Sequence, residues 1–429
     1  MGSIREEIEA IQTKRLIETV NNAYNNVELY RKKFDKIGLK PEHIKSIKDI
    51  RLVPFTTKQD LRDNYPYGMF AVPMEKIVRI HASSGTTGTQ TVVGYTKNDI
   101  DIWSEMMALI LKRNGVTAKD IVQNSIPYGL FTGGLGFHYG CEKIGATVIP
   151  ISGGNTEKQI LVMKNFGVTV LCSTPSYALH MSDVMKKMEI KPEELKLRVG
   201  VFGAEPWSDE MRERIEKSFN IKAYDIYGLS EVVGPGVAGE CEMKNGLHIN
   251  EQYFLPEIIN SETTENLVSG EQGELVLTTL TKEALPILRY RTRDITVLSY
   301  DKCECGSHEA RIKRVHGRSD DMMIIRGVNI YPIQIEKIIA GYSGDLSAHY
   351  VINVETDRNM DKITIVVEMN NYIEFYTQEY LIKLKKNIID RLYRELQIHC
   401  LLELVNPETL KRSEGKAKRV FYNRELALS

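Results

Sequence analysis

The chain has 429 residues with 56 Lys and Arg against 57 Asp and Glu. That is long enough for two or three domains, and too balanced in charge for a general nucleic-acid or anionic-membrane binder. Six cysteines in such a length do not read as a disulfide framework and suit a reducing compartment. The start "MGSIREEIEA" lacks an apolar signal core, Glu6 breaks the myristoylation pattern, and no apolar run is long enough to cross a bilayer. A soluble, cytoplasmic protein is expected.

The stretch up to about Gly38 has a helical pattern, with Ile4, Ile8, Ile11 and Leu16 near one face. From about Ile77 to Tyr227 short apolar strands alternate with helical segments. "TVLCS" (169–173) and "VGVFG" (199–203) read as buried strands, and "EKQILVMKNFG" and "SDEMRERIEKSFN" as helices. This alternation predicts an α/β fold around a largely parallel sheet. Strand-rich sequence follows in "GELVLTTL" (273–280), "ITVLSY" (295–300) and "EARIKRV" (309–315). Composition changes near Gly317–Asp321, which places a boundary at about residue 319 and divides the chain into 1–319 and 320–429. The second part reads as a small β/α unit: a helix in "PIQIEKIIAGY", strands in "AHYVINVE" and "KITIVVEM", a long helix over 380–396, and a last strand at 400–405.

One loop is unusual. Residues 81–96 read "HASSGTTGTQTVVGYT", which gathers hydroxyls and glycines after an apolar stretch, so the loop joins two strands or caps one. Glycines permit positive φ, and successive exposed N–H groups with hydroxyls around them form an anion-binding nest. Phosphate handling is therefore one reading, and a solvated Gly/Ser/Thr turn is the other. The loop is not the G-x-x-x-x-G-K-[ST] signature, because Thr89 follows Gly88 where that pattern needs Lys.

Four further blocks follow in order: "YDIYGLSEVVGPG" (224–236), "YRTRD" (290–294), "GRSDDMMIIRGVNIYPIQIE" (317–336) and "KRSEGKAKRV" (411–420). With the opening loop they resemble the adenylate-forming superfamily of acyl-CoA synthetases, adenylation domains and luciferases. "VPFTTKQDLRDNYPYG", "PYGLFTGGLGFHYG" and "LTTLTKEALPILRYRTRDIT" extend the resemblance to its phenylacetate–CoA ligase branch, over essentially the whole chain. The resemblance implies a large N-terminal adenylate-forming domain with parallel and mixed sheets flanked by helices. A small, mobile C-terminal α+β domain would rotate about a hinge at Asp320.

It also implies roles. Ser83, Ser84, Gly85, Thr86, Thr87 and Gly88 would grip the phosphates of ATP and pyrophosphate. Gln90-Thr91 stands where the wider family has Pro-Lys. Tyr227 would stack on adenine, and Asp225 or the backbone near Ala204 would read its amino edge, with Glu205 and Gly228 beside them. Glu231 would hold Mg²⁺, Asp294 would bind the ribose hydroxyls, and Arg318 would touch the same nucleotide. Lys416 would neutralise charge in the in-line transition state. Taken singly, each has a structural alternative: packing for Tyr227, a turn for Asp294, a helix start for Glu231, a solvated basic tail for Lys416.

The implied reaction is ATP-dependent ligation of an aryl acid, phenylacetate-like, to coenzyme A through an acyl-adenylate, with AMP and pyrophosphate released. A carrier-protein thiol in place of CoA is the alternative, and a non-catalytic nucleotide-binding relative is a further one. Tyr128, Phe131 and Phe137, with glycines including Gly134 keeping a volume clear, suit a flat ring, and Gly203, Ala204, Pro235 and Gly236 would form the far wall. Arg314, Arg326, Lys416 and Lys418 offer cations to CoA phosphates or to a carrier's acidic face. A homodimer is implied by the resemblance alone.

"CEMKNGLH" (241–248) and "CECGSH" (303–308) bring Cys241, His248, Cys303, Cys305 and His308 into two short loops. A structural tetrahedral Zn²⁺ on Cys241, His248, Cys303 and Cys305 is one reading, and free thiols are the other. Cys141, Cys172 and Cys400 lie in apolar contexts and are expected in the core.

Overall fold

The computed structural model describes residues 3–83, 90–315, 317–318, 323–325, 328–357, 360–412 and 418–422. The chain opens with helices Ile4–Asn26 and Glu28–Lys36, the first held by a capping box at Ser3 and Glu6. Its buried stripe is Gln12, Leu16, Thr19, Val20 and Ala23. Ile4 and Ile11 are exposed, which corrects the expected face. The reason is polar: Gln12 Nε2 reaches the carbonyls of Glu251 and Phe254 at 3.0 and 3.1 Å, and those bonds set the helix's rotation.

A twelve-stranded sheet runs through residues 121–318. From one edge, Thr147–Ile149, Ile121–Asn124, Val170–Ser173, Val199–Gly203 and Lys222–Leu229 lie parallel. Gly234–Glu240, Leu247–Ile249, Arg311–Ile312, Tyr290–Ser299, Gln272–Thr279 and Phe254–Ile259 continue the order antiparallel, and Gly317–Arg318 pairs off this path with Tyr290–Ser299. Val170–Ser173 and Val199–Gly203 are buried at every position. Strands covered on both faces read as unbroken apolar runs, which is why these two were legible. Helices Gly133–Ile144, Thr156–Asn165, Pro175–Lys187 and Asp209–Phe219 alternate with the parallel strands. One core runs from Leu16 to Ile312, and a second, between Ile160 and Ala223, fills the space around helices Pro175–Lys187 and Asp209–Phe219.

From Met323 onward the apolar residues form a separate core, from Met323 to Leu402. Helix Gln378–Leu396 contributes Leu384, Ile388, Leu392 and Leu396, a spacing of four that makes a single stripe. It joins helix Pro332–Ala340 and a mixed four-stranded sheet ordered Cys400–Val405, Met360–Met369, Leu346–Asp357, Val420–Tyr422. The expected boundary at about 319 and the hinge residue Asp320 lie outside the described residues. Cys141, Cys172 and Cys400 are buried, as expected. Among the described residues no helix is long and apolar enough to cross a membrane.

Candidate active site

The hydroxyl–glycine loop joins antiparallel strands Arg79–Ala82 and Val92–Tyr95. Its neck is closed by Ser83 N–H donating to the Thr91 carbonyl (2.9 Å) and Thr91 N–H donating to Ser83 Oγ (3.1 Å). Ser84, Gly85, Thr86, Thr87 and Gly88 lie outside the described residues, as do Arg326 and Lys416.

Tyr227 and Glu231 lie at and beyond the carboxyl end of parallel strand Lys222–Leu229, where open α/β sheets place ligand-binding groups. Strand Lys222–Leu229 turns back into Gly234–Glu240 with a register break between Tyr227 and Gly228. Only glycine fits at 228, where an added Cβ would stand 2.0 Å from the Gly234 carbonyl oxygen. This break aims Tyr227 toward the strand carrying Asp294, and its hydroxyl donates to Asp294 Oδ2 at 2.5 Å. Burial and the Asp294 carboxylate hold the Tyr227 phenol well above its ordinary range, so it stays a donor.

The "YRTRD" block sets Asp294 in turn. Arg291 grips the buried Glu274 through Nε and Nη2 at 3.0 and 2.7 Å, and Arg293 adopts φ 68°. Thr292 Oγ1 donates to the Leu275 carbonyl and accepts from Asp294 N–H. Asp294 lies opposite Arg318 in the strand register, and its Oδ1 stands 3.4 Å from Arg318 Nη1. Tyr227, Asp294 and Arg318, from three distant blocks, thus form one cluster.

Glu231 sits at the tip of the same turn, 7% exposed, with Lys58 Nζ 3.5 Å from its Oε1. Sequence reasoning assigned Lys58 no role. The available signal was a cation inside the quoted "VPFTTKQDLRDNYPYG" block, at the first position of the short helix Lys58–Asp63. Ala204, exposed and at φ 72°, follows strand Val199–Gly203 in a conformation rarely adopted by residues with a Cβ. Glu205 Oε1 accepts from Ser176 N–H at 2.8 Å, in the first turn of helix Pro175–Lys187.

Asp225 lies in different surroundings. Its N–H donates to Glu240 Oε2 (2.7 Å) and its carboxyl is 3.5 Å from Arg314 Nε, beside a buried Arg212–Glu240 pair at 2.6 Å. Burial pushes the Asp225 carboxyl well up, with Glu240 adding to the shift. Arg314 also contacts Asp209 at 2.8 Å. It therefore pairs with carboxylates of the fold while staying partly exposed.

The expected acyl-binding segment packs on the Tyr227–Gly236 turn, where Thr132 and Ser230 hydroxyls meet at 3.1 Å. Trp103 Nε1 donates to the Pro235 carbonyl at 2.7 Å. Tyr128 is half-buried, its hydroxyl 2.7 Å from Asn124 Nδ2 and 3.2 Å from His138 Nδ1. Phe131 is exposed, while Phe137 is buried in the main core. Space around these glycines differs: at Gly129 an added Cβ would meet nothing within 4 Å, whereas it would stand 2.7 Å from Pro127 O at Gly134, 2.3 Å from Ile226 O at Gly203 and 3.1 Å from Met107 Sδ at Gly236. The last three admit close packing by the protein itself, at Gly236 with φ 111°.

On the antiparallel side, Cys241, His248, Cys303 and Cys305 bring their ligand atoms within 4.8 Å of one another. His308 is not part of that group. Cys241 Sγ is 3.8 Å from Cys303 Sγ, and Cys305 Sγ is 3.6 Å from His248 Nε2. Burial, with Arg113 and Arg311 nearby, pushes His248 down to about 4, so the imidazole is neutral. A tetrahedral ion with Zn–S near 2.3 Å and Zn–N near 2.1 Å implies edges of about 3.8 Å and about 3.6 Å, which these spacings match.

Comparison with known proteins agrees with this geometry. Residues 14–280 match the family described as AMP-binding enzyme, and residues 327–424 match the AMP-binding enzyme C-terminal domain. The sequence is 48% identical to phenylacetate-coenzyme A ligase of Escherichia coli (strain K12), over 97% of this chain and 95% of that protein. A crystal structure of 2-hydroxyisobutyryl-CoA ligase in the postadenylation state superposes with a TM-score of 0.92 at 26% identity, covering 98% of this chain and 90% of that one. The same ligase in its thioesterification state, with CoA, superposes at 0.72 with 27% identity, covering 99% and 91%. The arrangement here thus follows the postadenylation state more closely. The chain belongs to the AMP-binding enzyme family, in its phenylacetate–coenzyme A ligase branch.

Proposed function

We propose that the protein joins an arylacetate-like carboxylic acid to coenzyme A in two steps. The carboxylate attacks the α-phosphorus of ATP, forming acyl-adenylate and releasing pyrophosphate; the CoA thiol then attacks the acyl carbon and AMP leaves. The observation that carries this reading is the convergence of Tyr227, Asp294 and Arg318 in one cluster, with Glu231 on the turn that follows the strand of Tyr227. Tyr227 and Asp294 would hold the nucleoside, and Arg318 would orient Asp294 and touch the nucleotide. Glu231 offers the oxygen that a phosphate-bound Mg²⁺ prefers. Lys416 would meet the charge that gathers between carboxylate and α-phosphate, and a rotation about Asp320 would exchange the two half-reactions at one site. On this reading residues 1–319 bind the substrates and 320–429 rotate. Reduced cysteines suit a cytosolic setting.

The test is pyrophosphate release and acyl-CoA formation across aryl and aliphatic acids, with and without CoA and with Lys416→Ala alongside. CoA-dependent thioester from an arylacetate, lost in the variant, is expected. Adenylate formation indifferent to CoA would move the acceptor to a carrier protein, and no pyrophosphate release with any acid would sink the reading. Asp320→Pro is expected to spare adenylation and cripple thioester formation; equal loss of both would refute the hinge.

A structural zinc on Cys241, His248, Cys303 and Cys305 is the second part of the proposal, supported by their tetrahedral spacing. It would pin the ends of strands Gly234–Glu240 and Leu247–Ile249 to the loop before Arg311. Metal analysis of chelator-free protein should find about one zinc per chain, lost in Cys303→Ser. A zinc-free protein with all four ligands intact would refute it.

A further inference from the structure

The small domain meets the large one through a buried acid that the chemistry above does not use. Glu336 lies on helix Pro332–Ala340 and is 7% exposed. Its Oε1 accepts from the backbone N–H of Ser208 at 3.1 Å, and its Oε2 from the Tyr350 hydroxyl at 3.3 Å. Ser208 is the N-cap of helix Asp209–Phe219 in the large domain, its Oγ already occupied by Met211 N–H. The acid therefore stands at the positive end of an eleven-residue helix across the interface. Beside it, Arg419 Nη2 donates to Ser176 Oγ (3.3 Å) and Nη1 donates to the Tyr350 carbonyl (3.1 Å). Ser176 occupies the first turn of helix Pro175–Lys187. Two side chains of the small domain thus reach the N-terminal turns of two large-domain helices.

We infer that Glu336 is a positioning residue for adenylation: its bond to Ser208 clasps the small domain in the adenylate-forming arrangement and must break before the acyl group passes to the thiol. The inference rests on the two-step ligase reading. Three observations support it. First, the contact belongs to an arrangement that follows a postadenylation structure at a TM-score of 0.92 and the thioesterification state of the same ligase at 0.72. Second, a permanent interface is usually as stable or more so with an apolar residue in place of a buried ionisable one, whereas a surface exposed in another arrangement tolerates the acid. Third, Leu179 and Met211 of the large domain and Ile339 and Ala348 of the small one line a small cavity beside the pair, with Arg214 among them, so the seam there is not sealed by apolar packing alone. What the acid adds is direction: a carboxyl must find an N–H, which selects one rotation of the domain.

The experiment compares wild type, Glu336→Ala and Glu336→Gln in the two half-reactions measured apart, ATP–pyrophosphate exchange and thioester formation from preformed acyl-adenylate and CoA. Glu336→Ala should lower exchange about tenfold, a coupling of ordinary size for a conformational equilibrium. It should leave the second half-reaction unchanged or faster. Glu336→Gln keeps an acceptor for Ser208 and turns its N–H₂ toward the Tyr350 hydroxyl, which then accepts instead of donating, and should stay near wild type. Equal losses in both halves, or no loss in either, would overturn the clasp. A second readout is independent of turnover: energy transfer between labels on the two domains should report a more released population in Glu336→Ala at unchanged melting temperature. Unchanged transfer would also overturn it. If wild type performs neither half-reaction while that difference persists, the ligase reading fails and the clasp stands.

Discussion

Asp225 and Asp294 lie on strands of one sheet, each inside a block that sequence reasoning assigned to the nucleotide, and both are less than a tenth exposed. Burial does not separate them; their partners do. Asp225 faces Arg314 and shares a closed network with Arg212 and Glu240. Asp294 faces the buried Tyr227 hydroxyl and, at 3.4 Å, the partly exposed Arg318 guanidinium. A carboxyl inside a network of several opposed charges is architecture. One held by a phenol and a longer contact to a cation can exchange them for a ligand.

The largest effect should come from opening the closed network. Arg212 is 7% and Glu240 2% exposed in their side chains. Arg212→Met would leave Glu240 buried without its bidentate partner and should cost about 3–5 kcal/mol of unfolding free energy. Chemical denaturation measures this, and a loss below about 1 kcal/mol would show that Arg314 alone satisfies the acid.

The comparison is sharpest when one substitution is made at both sites. Asp294→Asn should lower kcat/KM for ATP by roughly tenfold to a hundredfold, the worth of one or two hydrogen bonds to a charged group, with stability preserved. Asp225→Asn replaces a carboxyl whose ionisation burial disfavours and which faces the fold's own charges, and should stay within about threefold. Similar losses at both would erase the distinction. Tyr227→Phe keeps the ring and removes one hydroxyl, so a rise in KM for ATP of up to about tenfold with little change in kcat is expected.

How far these sites were legible depended on what each residue answers to. Val170–Ser173 and Val199–Gly203 were readable because burial on both faces writes itself as an apolar run. Tyr227, Glu231 and Asp294 were readable only through the order of blocks, since each alone fits packing or a turn. The first helix misled because its rotation is set by Gln12, a polar residue whose partners lie about 240 positions away. The glycines of the expected acyl-binding segment do not sort themselves in sequence: a missing Cβ looks alike whether open space, as at Gly129, or the protein's own backbone, as at Gly134, lies beside it. Lys58 and Glu336 were silent because their partners, Glu231 and Ser208, are fixed by topology rather than by spacing.

The smallest expected effect concerns the second seam of the molecule, where Glu336 meets the large domain. Burial pushes this carboxyl up to about 7 against an ordinary value near 4.3. Arg419 opposes that shift and Glu205 adds to it. Arg214, which lines the same space, is paired electrostatically with Asp183, and Asp183 in turn faces His349. In the clasped arrangement Glu336 keeps its proton up to about pH 7; once released to solvent it ionises near pH 4.3. Release therefore liberates a proton between those values. The clasp's share of stability is full below the lower value and declines as pH rises through the upper one. Energy transfer between labels on the two domains should report a more released population at pH 8 than at pH 5. Glu336→Gln carries no proton to lose, so its profile should be flat. A wild-type profile as flat as that of Glu336→Gln would mean that solvent already reaches the acid in the clasped state, and that Ser208 binds an ordinary carboxylate.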